Sequence, residues 1–276
     1  MILAEKEKGL LDFIGRYKSV LVAYSGGLDS AMVLWASLKA LDRERVWAVT
    51  SYSESYPSGE REEAEKIADE LGLSRERLLF ITTKEIADPN YLRNAPDRCY
   101  FCKAELFSEL MRMARELGAE VIFDGSNISD IGDYRPGRKA AEERRVLSPF
   151  VEVGLGKEEL RQLARKYNLS FSEKPAAACL ASRIPYGIEV TPERLRQIDE
   201  AEKGISALGF AGFRVRYHYD VARLEFRPVD IARVFDDGVR NKLVEAVKKA
   251  GFHYVALDLE GYRRGSLNRT LNAGEK

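Results

Sequence analysis

The chain contains no apolar run approaching the roughly 20 residues that a membrane helix needs. Its opening, MILAEKEKGLLDF, mixes acids with bases and has no signal-peptide core, so a cytoplasmic protein is expected. Cysteine is scarce, with only Cys99, Cys102 and Cys179. So small and odd a set argues against a disulfide framework and leaves metal binding or catalysis open. Histidine occurs only at His218 and His253, and glutamine only at Gln162 and Gln197. Charge of one sign is also missing: 44 Lys and Arg face 44 Asp and Glu, for a formal net charge of zero. A blanket of positive charge for gripping nucleic acid is thereby excluded, though a local basic patch is not. Of the 276 residues, 45% are hydrophobic, enough for a core and too many for a disordered chain. That length suits one large domain or two ordinary ones. Charged residues make up 32%, against a usual value of about 25%, and with so few amides this hints at a thermophile.

The first half alternates strand and helix signals, with no internal repeat. Residues 5–17 place Leu10, Leu11, Ile14 and Tyr17 on one helical face. SVLVAY (19–24) reads as a buried parallel strand, followed by a helix over about 30–41 and a strand, RVWAVTS. A helix over 60–71 carries Ala64, Ile67, Ala68 and Leu71 in phase and stops at Gly72. RLLFIT is a third strand. A helix over 103–117 buries Leu106, Leu110, Ala114 and Leu117, and EVIFDG is a fourth strand. Strands alternating with helices predict an α/β fold, a parallel sheet covered on both faces.

The last third reads differently. Thr191-Pro192-Glu193 starts a helix running to Leu208. FRVRYHY then alternates Phe213, Val215, Tyr217 and Tyr219 with Arg214, Arg216 and His218, and ARLEFR pairs with it as a hairpin. Helical segments lead to Gly251 and a final strand, HYVALDL. Two helices and an antiparallel sheet predict a small α+β domain. The expected division is 1–185 and 186–276, near Pro185-Tyr186-Gly187, with an extended tail after Gly261.

Between the first strand and its helix lies Ser25-Gly26-Gly27-Leu28-Asp29-Ser30. The glycines permit a tight turn and close approach to an anion. The helix start adds bare N–H groups and a positive dipole end, and Ser25 and Ser30 add hydroxyls. Asp29 is useful beside phosphates chiefly if Mg²⁺ lies between. A bare Gly-Gly would read as an ordinary turn, but this hexapeptide after a buried strand points to a nucleotide. Asp124, Gly125 and Asn127 follow the fourth strand, at the carboxyl end where nucleotide contacts belong; an ordinary strand-end turn would use them as well.

Arg98-Cys99-Tyr100-Phe101-Cys102-Lys103 sets a C-x-x-C just before the helix over 103–117, where the dipole and both cations lower thiol pKa. Its spacing leaves three readings open: a redox dithiol, half a zinc site, or part of an iron–sulfur site. Zinc is short of ligands, and the fold signal is not thioredoxin-like. Cys179 lies among small residues in KPAAACLASR, with Lys174 and Arg183 able to stabilise a thiolate, and alone would read as a structural cysteine. Arg214 and Arg216 share one strand face and could fork a phosphate; on their own they read as a solvated face. His218 on that face reads as a surface histidine.

SGGLDS resembles the pyrophosphate loop of the ATP pyrophosphatase (PP-loop) superfamily, and no Walker A pattern is present. That resemblance implies a doubly wound parallel sheet of five strands, adenine nucleotide alpha hydrolase-like, binding ATP at the strands' carboxyl ends. Further stretches resemble the LarE family of ATP-dependent sulfur transferases: NAPDRCYFCK, DGSNISDIGDYRPG, SPFVEVGLGKEELRQLA, KPAAACLASRIPYG, FRVRYHYDVARLE and LDLEGYRRGSLN. They span nearly the whole chain in the family's order, and KPAAACLASRIPYG and DYRPG are its most specific parts. Ser129 departs from the pattern, which has an acid beside Asp130.

The resemblance implies adenylation of a carboxylate on a pyridinium-dicarboxylate mononucleotide, delivery of sulfur to the acyl carbon and release of AMP, in nickel-pincer nucleotide biosynthesis. Its cluster subtype holds a [4Fe–4S] cluster on three cysteines, matching Cys99, Cys102 and Cys179. Its sacrificial subtype uses one, matching Cys179, and leaves dehydroalanine. The C-x-x-C favours the cluster subtype. Further implied are Ser25, Gly26, Gly27, Ser30, Asp124, Gly125, Asn127 and Arg183 around the nucleotide, and Asp29 on Mg²⁺. Arg214 and Arg216 fall on the substrate phosphate, and Glu202 matches a family acid. A homo-oligomer and a small-molecule nucleotide substrate are implied as well. A tRNA thiolase would share the loop and cysteines but usually adds zinc modules or a basic RNA-binding domain, which neither three cysteines nor zero net charge supports. A nucleotide sensor of this fold would need the loop alone.

Overall fold

In a computed structural model of the chain, residues 2–131, 136–175, 178–263, 265 and 266 are described. Asp133, Tyr134 and Arg135 of DYRPG, Ala176 and Ala177 beside Cys179, and most of the tail after Gly261 lie outside the described residues. In chain order the elements begin α1 (Leu3–Ile14), β1 (Val20–Ala23), α2 (Leu28–Ala40), β2 (Val46–Tyr52), α3 (Glu60–Glu70), β3 (Leu78–Thr82), α4 (Pro89–Leu92), α5 (Arg98–Leu117) and β4 (Val121–Phe123). There follow α6 (Pro136–Glu143), α7 (Pro149–Glu152), α8 (Lys157–Lys166), α9 (Pro192–Ala207), β5 (Arg214–His218), β6 (Val221–Glu225), α10 (Ile231–Val234), α11 (Asp237–Lys249) and β7 (Tyr254–Leu257). They form two compact units. The first comprises Met1–Ser53, Gly59–Glu85 and Cys99–Ala177, and the second Glu54–Ser58, Ile86–Arg98 and Ala178–Lys276. Among the described residues no helix is long and apolar enough to cross a membrane.

The first unit is built on a parallel sheet in the order β3-β2-β1-β4. Successive side chains of a strand point to opposite faces, so the continuous apolar run of β1 must be covered twice. Val20 and Val22 join a core with Leu10 and Ile14 of α1, Met32 and Trp35 of α2, and Leu160 and Leu163 of α8. Leu21 joins the other core, with Phe107, Leu110 and Ala114 of α5 and Ala140 and Ala141 of α6. This is the doubly wound α/β arrangement that the sequence predicts. The expected fifth strand is reduced to one parallel bridge between Leu147 and Phe123. Arg145 just before it is left-handed, at φ 53°, and Pro149 begins α7 two residues after it, so the segment has no length to pair further.

α5 also corrects an expectation. It starts at Arg98 rather than at 103, so Cys99 and Cys102 stand in its first turns, and Phe107 is wholly buried beside Leu110, with Leu106 and Leu117 only partly buried.

Two ion-pair clusters clasp α1 onto α8. Lys6 Nζ donates to Gly154 O and to Glu159 Oε1, both at 2.6 Å. Buried Glu7 accepts from Lys166 Nζ at 2.7 Å and from the Tyr167 hydroxyl. Burial alone would push the Glu7 carboxyl up, but the bonds from Lys166 and Tyr167 outweigh it and hold it below the ordinary carboxylate value. A depressed folded pKa contributes stability above the unfolded value and loses it as pH falls through the folded one. Glu7→Gln is therefore expected to cost about 1–2 kcal/mol at neutral pH. Thermal melts should show a deficit of several degrees at pH 7 that closes in acid; a deficit independent of pH would refute the charge-based account.

In the second unit, Thr191 caps α9 through Arg194 N at 3.3 Å, with Pro192 at the first helical position. β5 and β6 form the expected antiparallel hairpin, turning at Tyr219, whose φ is 55°. Phe213, Val215 and Tyr217 are buried, but the turn leaves Tyr219 exposed. β7 pairs parallel to β6, so the sheet is mixed rather than antiparallel. α10 and α11 carry the chain between those strands, and a crossover of that kind returns it in the same direction.

Candidate functional site

At the carboxyl end of β1, the turn into α2 requires two glycines for different reasons. Gly26 is left-handed, at φ 70°, and a Cβ there would lie 2.8 Å from Ala64 Cβ of α3. Gly125, after β4, passes so close to α2 that a Cβ would lie 2.9 Å from Ser30 N. Gly27 caps α2 with no side-chain acceptor, leaving the helix's first N–H groups for an anion. Ser30 Oγ accepts Ser25 N, donates to Gly27 O and lies beside Ser25 Oγ, each at 3.1 Å, which fixes the loop. The Asp29 carboxylate is divided. Oδ2 accepts from Lys157 Nζ at 2.5 Å, while Oδ1 is buried with no partner among the described residues.

The loop after β4 is held from within. Asp124 Oδ1 accepts Ser126 N at 3.1 Å and Ser148 Oγ at 2.6 Å, and its Oδ2 accepts Ser126 Oγ at 2.8 Å. Asn127 is wholly buried; its Oδ1 accepts Ser129 N at 3.0 Å, and its Nδ2 has no partner among the described residues. Ser129, standing where an acid was expected, accepts Lys157 N at 3.0 Å and so serves the N-terminus of α8. Within the first unit, then, Ser25, Gly26, Gly27, Asp29, Ser30 and Gly125 converge on the start of α2. Lys157 joins them although no motif singles it out.

Cys99, exposed, and Cys102, half-buried, are three residues apart on α5 and so share a helical face. The cations expected to bias them are engaged elsewhere. Arg98 is buried and donates to Asn94 Oδ1 and, at 3.0 Å, to Ala181 O; Lys103 Nζ lies 5.2 Å from the Phe107 ring centroid. Both cysteines belong to the first unit, and Cys179 to the second. Among the described residues no group of three or more His, Cys, Asp or Glu is placed to hold a metal ion.

In the second unit, Cys179 is exposed and begins the turn Leu180–Arg183. Arg183, only 3% exposed, clamps that turn: Nη1 donates to Ala178 O at 2.6 Å, Cys179 O at 3.0 Å and Ser182 Oγ at 3.1 Å. Its Nε and Nη2 bind Glu202 Oε1 and Oε2, each at 2.9 Å, and Glu202 Oε1 also accepts Val215 N at 3.0 Å. Glu202 thus ties the cysteine turn to β5. Arg216 is buried, donating to Glu225 Oε2, Ser182 O and Ser266 Oγ, all at 2.8 Å, while its Nε has no partner among the described residues. Arg214 lies 4.8 Å from the Tyr262 ring centroid; burial and the neighbouring Arg183 guanidinium push its pKa down. Burial and then Arg223 lower His218, which as a neutral ring accepts Arg223 Nε at 3.1 Å.

No protein-family profile matches the chain. A pyridinium-3,5-bisthiocarboxylic acid mononucleotide synthase from Lactiplantibacillus plantarum is 36% identical over 275 residues, covering 99% of this chain and 97% of that one. The chain belongs to the LarE family. An uncharacterized protein from Synechocystis, slr1717, is 41% identical over 270 residues, covering 98% of this chain and 99% of that one. More distantly, the tRNA-specific 2-thiouridylase MnmA of Geobacter metallireducens is 27% identical over 197 residues, covering 57% of this chain and 53% of that one. This LarE-family chain is an ATP-dependent sulfurtransferase of the PP-loop superfamily.

Proposed function

We propose that the protein adenylates a carboxylate of a pyridinium-dicarboxylate mononucleotide and exchanges one of its oxygens for sulfur, forming a thiocarboxylate for nickel-pincer nucleotide biosynthesis. The full-length relation to a synthase named for a pyridinium bisthiocarboxylate mononucleotide carries this reading. In the first step a carboxylate oxygen attacks the α-phosphorus of ATP and pyrophosphate leaves. In the second, sulfur attacks the acyl carbon and AMP leaves, taking the oxygen with it.

The α2 N-terminus, Ser25 and Ser30 supply N–H and hydroxyl donors for the phosphates. The bare buried Oδ1 of Asp29 suits a Mg²⁺ ligand, since a buried carboxylate oxygen without a partner is costly. Asp124, Gly125 and Asn127 frame the nucleotide from the β4 loop. Arg214 and the unpartnered Nε of Arg216 serve the substrate phosphate, with Arg183 and Glu202 holding the Cys179 turn. The donor set of three thiols, two sharing a helical face, suits a [4Fe–4S] cluster with one open iron, which when bound would supply sulfide. Cys99, Cys102 and Cys179 would hold it.

The test is anaerobic incubation with ATP, Mg²⁺ and the dicarboxylate mononucleotide, with mass spectrometry for oxygen-to-sulfur exchange and assays for AMP and pyrophosphate. ADP and phosphate as products, or no exchange, would refute the reading. Asp29→Asn, close in size and at a loop, is expected to keep the native Tm while AMP formation at limiting Mg²⁺ falls about ten- to a hundredfold. Unchanged Mg²⁺ dependence would remove Asp29 from the metal.

A further inference from the structure

Asn94 is wholly buried and its backbone is left-handed, at φ 53°, a conformation that asparagine tolerates better than most residues. Its Nδ2 lies 2.8 Å from Pro185 O, 2.8 Å from Ile188 O and 3.3 Å from Ile184 O, and its main-chain O accepts Gly187 N at 3.1 Å. Its Oδ1 accepts from Arg98 Nη1, which also donates to Ala181 O at 3.0 Å. Leu180 N donates to Ser55 O at 2.8 Å, and Ser55 Oγ lies 2.5 Å from the Tyr91 hydroxyl; Ser55, Tyr91 and Arg98 are all buried. Every one of these residues belongs to the second unit, as Cys179 does. Yet Arg98 opens α5, and the residue that follows it is Cys99.

We infer that Arg98 and Asn94 are positioning residues for sulfur transfer: they tie the residue before Cys99 to the carbonyl two residues after Cys179, and so set the spacing of those two thiols. The inference rests on the three-thiol reading above. A buried guanidinium is costly unless its N–H groups are bonded, and an apolar side chain would close a helix start without that cost. What the guanidinium adds is direction, because its rigid fork fixes both distance and angle to the oxygens it binds. The Asn94 amide is the junction. Its oxygen holds Arg98, while its nitrogen holds the stretch from Ile184 to Ile188 that continues the Cys179 turn, 90 positions away at Ile184. Arg183 shapes the Cys179 turn from within, through Ala178 O and Cys179 O; Arg98 fixes that turn to the start of α5. A cluster bonds each of its thiolates directly, so their spacing must be held by the chain.

The test uses the full chain carrying Cys102→Ala, in which Cys99 and Cys179 are the remaining thiols. The probe is dibromobimane, a short bridging reagent in which each thiolate displaces one bromide. Bridging is read as bimane fluorescence, monobromobimane labelling serves as the control for access, and Tm is measured for each variant. The Cys102→Ala parent is expected to bridge. Adding Arg98→Met should slow bridging about ten- to a hundredfold with monobromobimane labelling unchanged, since a misplacement of about 1 Å is worth that much in rate. Arg98→Lys should lose less. Asn94→Gly, which keeps the left-handed backbone and deletes the amide, should behave as Arg98→Met does. In chains with all three cysteines, the same substitutions should lower iron and acid-labile sulfide in anaerobic protein while AMP and pyrophosphate are still formed. Bridging by Arg98→Met and Asn94→Gly within about twofold of the parent overturns the inference, as does a parent that does not bridge. Loss of AMP formation in step with iron also overturns it, since that would mark a merely structural role. If Arg98→Met shows no cooperative melt, Arg98→Lys carries the same criterion. Bridging that depends on Arg98 in a protein that takes up no iron is a different result: it upholds the positioning role and overturns the cluster reading.

Discussion

Cys179→Ala is expected to abolish sulfur transfer while AMP and pyrophosphate are still formed. The side chain is exposed, so losing one sulfur there costs little stability, within about 0.5 kcal/mol. In the proposed function adenylation draws on Asp29, Ser25, Ser30 and the α2 N-terminus, all in the first unit, whereas Cys179 belongs to the second. The Arg183 clamp also acts on main-chain carbonyls of the Cys179 turn rather than on the thiol, so the turn keeps its shape in the variant. Cys99→Ala then separates the two routes for sulfur. Under the cluster route it loses transfer, together with iron and acid-labile sulfide in anaerobic protein. Under the sacrificial route it transfers once per chain, and the Cys179 residue loses the elements of hydrogen sulfide to become dehydroalanine. Thiocarboxylate made at the native rate by Cys179→Ala would refute both routes.

What the sequence made legible follows from periodicity and local chemistry. Val20, Leu21 and Val22 announced a strand buried on both faces, and SGGLDS after it announced the tight glycine turn into α2. Thr191-Pro192 announced α9, and the alternation through Phe213, Val215 and Tyr217 announced the hairpin. The misses have tertiary causes. α5 begins early because Arg98 turns inward to Asn94 and the Ala181 carbonyl, partners that no helical pattern reveals. The parallel pairing of β7 was implicit in the helices preceding it, since parallel neighbours need a crossover. Lys157 was hidden inside a helix start because its partner lies in another motif. Arg216 sits on the face that alternation assigns to solvent, yet Ser182, Glu225 and Ser266 engage it there. Strand alternation tells which residues share a face and is silent on what covers that face.

That last difference separates two arginines which the sequence treats alike. Arg216→Ala is expected to damage the fold, because it leaves Glu225, 1% exposed, without the guanidinium that binds its Oε2. Removing one partner of a buried pair costs about 3–5 kcal/mol, a fall in Tm on the order of 10 °C. Arg223 still reaches Glu225 Oε1 at 3.3 Å, which places the loss toward the lower end of that range. Neutralising the stranded acid should recover much of it, so Arg216→Ala/Glu225→Gln is expected to melt above Arg216→Ala. Arg214→Ala removes a guanidinium that burial and Arg183 already disfavour, and that lies 4.8 Å from the Tyr262 ring centroid. Its affinity for the mononucleotide substrate is expected to fall about ten- to a hundredfold, with ATP binding unchanged. Melting curves and substrate titrations on the three variants decide the matter. If Arg214→Ala binds substrate normally, the phosphate is held elsewhere. If Glu225→Gln gives no recovery, the cost of losing Arg216 lies in its bonds to Ser182 and Ser266 rather than in the buried charge.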